Sequence, residues 1–125
     1  MLIPGFYTII DFETPENQVR ANIELNPDHE VYKGHFPGQP IVPGVIQLQI
    51  IKELLEKGLE KKLLLSKIIS AKYYSMITPD GYPVLEISVQ LKRVETGEYK
   101  ITAQISRDIA VFTKVRAIFK VTNQF

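Results

Sequence analysis

One stretch of this chain has a helical apolar period, and a run of turn-forming residues leads directly into it. Between Ile46 and Lys57, Leu48, Ile51, Leu54 and Leu55 share one helical face, and Val45, Ile46 and Ile50 widen it. A helix apolar over most of its circumference has to be covered on several sides, so it belongs at the centre of a fold. Its start is expected near Pro43 or Gly44. Its end is expected near Gly58, a residue suited to the left-handed position past a helix terminus. Gln49, Lys52, Glu53, Glu56 and Glu60 form a narrow polar stripe opposite.

The remaining segments alternate with period two, as strands do. Phe6 to Phe12 reads as a first strand. Val19 to Leu25 reads as a second, with Val19, Ala21, Ile23 and Leu25 on one side. Glu30 to Gly34 reads as irregular. Leu63 to Ile77 is long enough for a loop and a long strand. After the turn Thr78-Pro79-Asp80-Gly81 come three more strands: Val84 to Leu91, Tyr99 to Ser106 and Val111 to Thr122. Ile87, Val89 and Leu91 share a face of the first of these, and Tyr99, Ile101, Ala103 and Ile105 share a face of the next. Antiparallel strands with one apolar face, beside a single apolar helix, make an α+β architecture in which the sheet wraps the helix. The 125 residues fit one domain spanning 1–125.

Composition removes several functional classes. A formal net charge of +1 is too small for a general nucleic-acid binder. The absence of cysteine excludes a disulfide framework, a thiolate zinc site and a cysteine nucleophile. The first residues carry no signal-peptide pattern, and no apolar run approaches the roughly 18 residues that span a bilayer. A soluble, cytoplasmic protein is expected.

The turn-rich run is Gly34-His35-Phe36-Pro37-Gly38-Gln39-Pro40-Ile41-Val42-Pro43-Gly44-Val45. It holds one of the chain's two histidines. An imidazole fixed among prolines, directly before a buried helix, reads as part of an active-site loop. The other histidine, His29, follows a Pro-Asp turn and is expected to be solvated without a site role. Two histidines with no acidic cluster between them do not make a metal site.

The pattern Gly34-His35-Phe36-Pro37-Gly38-x-Pro40-x-x-Pro43-Gly44-Val45 closely resembles the signature loop of the β-hydroxyacyl-(acyl carrier protein) dehydratases, which have the hot-dog fold. Asn26 to Lys33, Lys72-Tyr73 and Thr78-Pro79-Asp80-Gly81 are similar to that family's flanking segments. The resemblance implies a homodimer in which each sheet wraps a central helix and the active sites lie at the dimer interface. It implies a 3-hydroxyacyl substrate carried on acyl carrier protein, eliminated to a trans-2-enoyl thioester in fatty-acid or related acyl-chain synthesis, without a cofactor. His35 falls at the family's catalytic histidine. Gly44 falls at the glycine whose amide meets the thioester carbonyl. Phe36, Pro43 and Val45 fall beside the bound acyl group.

The chemistry matches two of these positions. An imidazole titrating near about 6.5 suits removal of the C2 proton. A glycine amide at a helix start suits a carbonyl gaining enolate character. The third position departs. The family's acid, carried on the helix of the other subunit, falls at Gln49, and an amide cannot release a proton as a carboxylic acid does. Losing a positioned acid costs ~10²–10⁴ in rate. The family usually has an acid here with an amide one turn later, whereas this chain has Gln49 and then Glu53, about 6 Å along the axis. Glu53 is a candidate substitute acid.

Three readings follow: a dehydratase with Gln49 orienting the hydroxyl, a catalytically weak acyl-thioester-binding subunit, and a hot-dog thioesterase using Glu53. In the second, a heterodimer with an acid-bearing paralogue would restore one site. Lys61, Lys62, Lys72, Lys92 and Arg93 are candidates for docking an acidic carrier protein. Tyr73, Tyr74 and Tyr82 read as sheet and interface packing.

Overall fold

The computed structural model describes residues 4–34, 38–80, 83–95 and 97–122. His35, Phe36 and Pro37, as well as Gly81 and Tyr82, lie outside the described residues. Eight elements follow in order: β1 (Tyr7–Glu13), β2 (Gln18–Leu25), α1 (Val31–Gly34), α2 (Gly44–Leu59), β3 (Leu63–Tyr73), β4 (Val84–Glu95), β5 (Glu98–Arg107) and β6 (Ala110–Val121). The strands form one antiparallel sheet in the order β1-β2-β4-β5-β6-β3.

Alternation in the sequence becomes the inner face of this sheet. Val19, Ala21, Ile23 and Leu25 of β2 are buried, as are Leu85, Ile87 and Val89 of β4, Ile101, Ala103 and Ile105 of β5, and Val115, Ala117 and Phe119 of β6. Leu91 and Tyr99 are partly covered and pack on the rim of this core. Ile46, Ile50, Ile51, Leu54 and Leu55 of α2 fill the concave side. The expected sheet around one central helix is therefore present.

Four local expectations need correction. The segment from Glu30 to Gly34 is not irregular. His29 accepts the Val31 N–H at Nδ1 (3.1 Å), and α1 begins there with Tyr32 buried. His29 is accordingly not a solvated turn residue. With Nδ1 accepting, Nε2 carries the hydrogen and donates to the Pro4 carbonyl at 2.9 Å, and the ring stands edge-on to Phe6.

The helix ends at Leu59, close to the expected place, but Gly58 does not take the left-handed position. Gly58 is helical, and Glu60 takes the left-handed conformation at φ 54°, its N–H bonding the Glu56 carbonyl. Gly58 has a different reason to be glycine: a β-carbon there would lie 2.7 Å from Cγ2 of buried Val19. The helix and β2 touch at that point.

Val45 does not widen the buried face; it is 74% exposed, and Leu48 is only partly buried. The long segment from Leu63 to Ile77 holds a long strand and a loop, as expected: β3 starts at once and ends at Tyr73, and an irregular stretch follows. β3 is an edge strand, and Leu64, Leu65, Ile68 and Ile69 are all exposed, so apolar side chains stand on both of its faces.

Candidate active site

The loop and the helix start are tied to the segment that follows β3. Val42 is buried, and its N–H donates to the carbonyl of buried Ile77 at 2.8 Å. Pro43 then stands in extended conformation as the residue capping α2, and its carbonyl accepts the N–H groups of Ile46 and Gln47, both at 3.1 Å. The amides of Gly44 and Val45 precede those bonds and lie at the positive end of the helix dipole. Amides so placed can donate to a carbonyl oxygen or an anion.

Gly44 is glycine because of what crosses it. A β-carbon there would lie 2.8 Å from Oη and 2.9 Å from Cζ of Tyr73. Tyr73, the last residue of β3, is 47% exposed, and burial of the rest of its ring pushes its phenol above the ordinary range. The strand end and the helix start meet here. Pro43 is partly buried beside them, and the side chain of Val45 projects outward.

A buried polar pair secures the same end of the helix, and sequence reasoning missed it. Gln47 is 4% exposed. Its Nε2 donates to the Val42 carbonyl at 3.1 Å, and its Oε1 accepts from Thr113 Oγ1 at 2.6 Å. Three elements of the site are thus joined: the loop, α2 and β6. The signal was present in the spacing, since residues 47, 50, 51 and 54 share one face of α2 and Thr113 is in phase with Val115 and Ala117 of β6.

Gln49 and Glu53 lie one turn apart, as their spacing requires, and they are bonded. Gln49 Nε2 donates to Glu53 Oε2 at 2.9 Å. The other oxygen, Oε1, accepts from the hydroxyl of Tyr7 at 2.9 Å. Tyr7 is buried at the start of β1. Its phenol is pushed well above the ordinary tyrosine range, first by desolvation and then by the hydrogen bond and charge of Glu53, so it remains a donor at all ordinary pH. Tyr7 was absent from the sequence-based site because 46 residues separate it from Glu53.

Two open clefts flank this arrangement. One of about 670 Å³ runs along the C-terminal half of α2, walled by Tyr7, Ile9, Glu53, Lys57, Lys61 and Val121. A smaller one of about 450 Å³ lies beside Gly38, among His29, Tyr32 and Pro40. Among the described residues, no group of three His, Asp or Glu could hold a metal ion, and no helix is long and apolar enough to cross a membrane.

Comparison with known proteins places the chain. The family model for ApeI-like dehydratases matches residues 11–113. The chain belongs to the ApeI-like dehydratase family. Among curated relatives, the 3-hydroxyacyl-(acyl carrier protein) dehydratase FabZ of Lactococcus lactis is 31% identical over 115 residues, covering 83% of this chain and 76% of the relative. FabZ of Lactobacillus helveticus is 26% identical over 121 residues, covering 87% and 82%.

The solved dehydratase heterocomplex ApeI:P from Xenorhabdus doucetiae superposes with a TM-score of 0.77 at 20% identity, covering 90% of this chain and 96% of that one. A hypothetical thioesterase from Streptococcus pneumoniae, solved with coenzyme A, gives 0.67 at 15% identity, covering 94% and 87%. At those identities the likeness establishes the fold, which is the hot-dog fold.

Proposed function

We propose that this member of the ApeI-like family is a cytoplasmic dehydratase acting on 3-hydroxyacyl thioesters of acyl carrier protein. Water leaves to give the trans-2-enoyl thioester. The observation that carries the reading is the start of α2. Gly44 and Val45 offer amides ahead of the first helical hydrogen bonds, on a backbone held by the Val42–Ile77 bond and by Gln47.

In this reading His35 removes the C2 proton while the Gly44 amide donates to the thioester carbonyl as it gains enolate character. Phe36, Pro43 and Val45 border the acyl group. The C3–O bond then breaks and the hydroxyl leaves as water. With an amide at position 49, the imidazolium formed at His35 is the group left to return a proton to it.

The exposed apolar residues of β3 are the natural surface for a second copy of the chain, or for a related chain that carries the acid. Lys61, Lys62, Lys72, Lys92 and Arg93 are candidates for meeting an acidic carrier protein. The elimination itself is acid–base chemistry and calls for no cofactor.

A second reading is favoured by one observation. The Gln49 amide is already engaged with Glu53, which suits a subunit that binds the acyl thioester and leaves turnover to a partner. A thioesterase reading would rest on Glu53, whose two oxygens already accept from Tyr7 and Gln49.

Hydration of a crotonyl thioester, followed by loss of enoyl absorbance, tests the first reading. Wild type should turn over, and His35→Ala should lose ~10²–10⁴ of the rate. Equal activity of the two would overturn the assignment of His35. Tight binding of the acyl carrier without turnover would favour the second reading, and release of free thiol would favour a thioesterase.

A further inference from the structure

The hydrogen-bond chain Tyr7–Glu53–Gln49 fixes which end of the Gln49 amide can face a substrate. We propose that Glu53 is a positioning residue: anchored by Tyr7, it holds the NH₂ of Gln49 so that the Gln49 carbonyl oxygen is presented to the 3-hydroxyl of the acyl chain. The proposal rests on the reading of Gln49 as a residue that meets the substrate hydroxyl.

Each link follows from donor and acceptor chemistry. An ionised carboxylate only accepts, a phenol at ordinary pH donates, and an amide must turn its nitrogen toward a carboxylate. Tyr7 Oη and Gln49 Nε2 lie 2.9 Å from different oxygens of Glu53. The carboxylate is therefore engaged at both ends, and Gln49 Oε1 is left pointing elsewhere.

An ordinary helical pair at i and i+4 would account for the Gln49–Glu53 bond alone. It does not account for a buried tyrosine reaching the same carboxylate from the edge strand β1, 46 residues away. Tyr7 fixes the carboxylate, and the fixed carboxylate orients the amide.

The consequence is selectivity as well as orientation. An acceptor at this point is satisfied by a 3-hydroxyl, which donates to it and keeps its oxygen lone pairs available to the proton that makes it a leaving group. A 3-keto or an unsubstituted acyl chain has no donor to give and leaves the amide oxygen unmatched. This role differs from acid catalysis: Glu53 orients and does not touch the substrate.

Binding measurements test the proposal without requiring turnover. Calorimetric affinities for 3-hydroxybutyryl-pantetheine and its 3-keto counterpart acetoacetyl-pantetheine would be compared in the full-length protein. Wild type should prefer the hydroxylated ligand by about tenfold, the worth of one well-made hydrogen bond. Glu53→Gln should abolish the preference: with Tyr7 donating to the new amide oxygen, the new nitrogen faces position 49 and turns the Gln49 NH₂ outward, where a 3-keto oxygen is met as well as a 3-hydroxyl. Gln49→Ala should abolish it to the same extent, and Gln49→Ala/Glu53→Gln should add nothing further. Glu53→Asp keeps the acceptor and should restore part of the preference.

A wild-type preference retained in full by Glu53→Gln overturns the positioning role and leaves the dehydratase reading standing. Failure of wild type to bind either thioester overturns the dehydratase reading, and this proposal with it. Thermal midpoints of the same variants separate lost orientation from lost folding.

Discussion

The ring of Tyr73 lies across the α-carbon of Gly44, so that a β-carbon on Gly44 would meet the phenolic oxygen at 2.8 Å. The contact joins the end of an edge strand to the start of the central helix. The obstructing group is the far end of a half-exposed side chain, which can swing aside. Gly44→Ala should therefore cost only about 1 kcal/mol of stability, measured by chemical denaturation. Turnover of an enoyl thioester should fall much further, by tenfold or more, because the donor amide and the ring beside it both shift. A loss of stability with full activity would remove Gly44 from the site.

Gly58 gives the opposite balance. Its absent β-carbon would meet Val19 Cγ2 at 2.7 Å, and Val19 is fully buried in β2 with little rotamer freedom. Overpacking of this kind costs about 1–3 kcal/mol, offset by up to about 1 kcal/mol because alanine is the better helix former. Gly58→Ala should lower stability by about 1–2 kcal/mol with kcat unchanged. Gly58→Ala/Val19→Ala should show a favourable coupling between the two sites.

The buried pair Gln47–Thr113 should behave as a unit. Thr113→Val leaves Gln47 Oε1 without this donor, and Gln47→Leu removes the donor to the Val42 carbonyl and the acceptor for Thr113. Each single change should cost about 1–3 kcal/mol. The double variant Gln47→Leu/Thr113→Val should cost clearly less than their sum, since only the Val42 carbonyl is then left unmatched. Additive costs in denaturant titration would contradict the coupling.

Two buried phenols predict how stability responds to alkali. Tyr7 and Tyr32 are both pushed well above their ordinary value, Tyr7 by desolvation and then Glu53, Tyr32 by desolvation and then the charge of Asp80. Above pH ~10 the unfolded chain releases these protons and the folded chain keeps them. The unfolded state then binds fewer protons, so stability is full below pH ~10 and falls above it, by up to about 1.4 kcal/mol per pH unit for each ring. Tyr7→Phe and Tyr32→Phe should each flatten that fall. Tyr32 Oη is buried with no hydrogen-bond partner among the described residues. Tyr32→Phe should therefore leave stability at pH 7 unchanged or slightly raised, whereas Tyr7→Phe should lower it by about 1 kcal/mol. Equal alkaline slopes in all three proteins would refute the account.

Much of this arrangement can be read from local pattern, and the rest shows where local pattern stops. Alternation locates β2, β4, β5 and β6 because one face of each is buried and the other is not. A helical period locates α2 for the same reason. The edge strand β3 defeats this logic, since Leu64, Leu65, Ile68 and Ile69 are apolar on both faces and give no period. Gly58 looks like a helix terminator until Val19 is seen against it. Val45 looks like core from its chemistry, yet it faces outward. Gln49 and Glu53 are visibly one turn apart, but their shared anchor Tyr7 comes from a distant strand, and only folding brings it within reach. His35 and Phe36 rest on motif alone.

The last prediction concerns the inverted order of amide and acid on α2. Gln49→Glu would place two carboxylates where an amide now donates to Glu53 at 2.9 Å. Two such groups cannot both ionise easily, so one holds its proton to higher pH. That proton makes the pair a general acid, and dehydration should rise by on the order of 10². The exchange Gln49→Glu/Glu53→Gln should also gain activity, with Tyr7 donating to the new amide oxygen and the amide nitrogen donating to the new carboxylate. That hydrogen bond favours the ionised acid and lowers its pKa relative to the carboxylate pair. A general acid works only while protonated, so the exchanged protein should lose its gain at lower pH than Gln49→Glu alone. Rate–pH profiles of the two variants decide the matter. Coincident alkaline limbs would show that the new acid does not feel residue 53, and the absence of any gain would show that the amide at 49 is not what limits turnover.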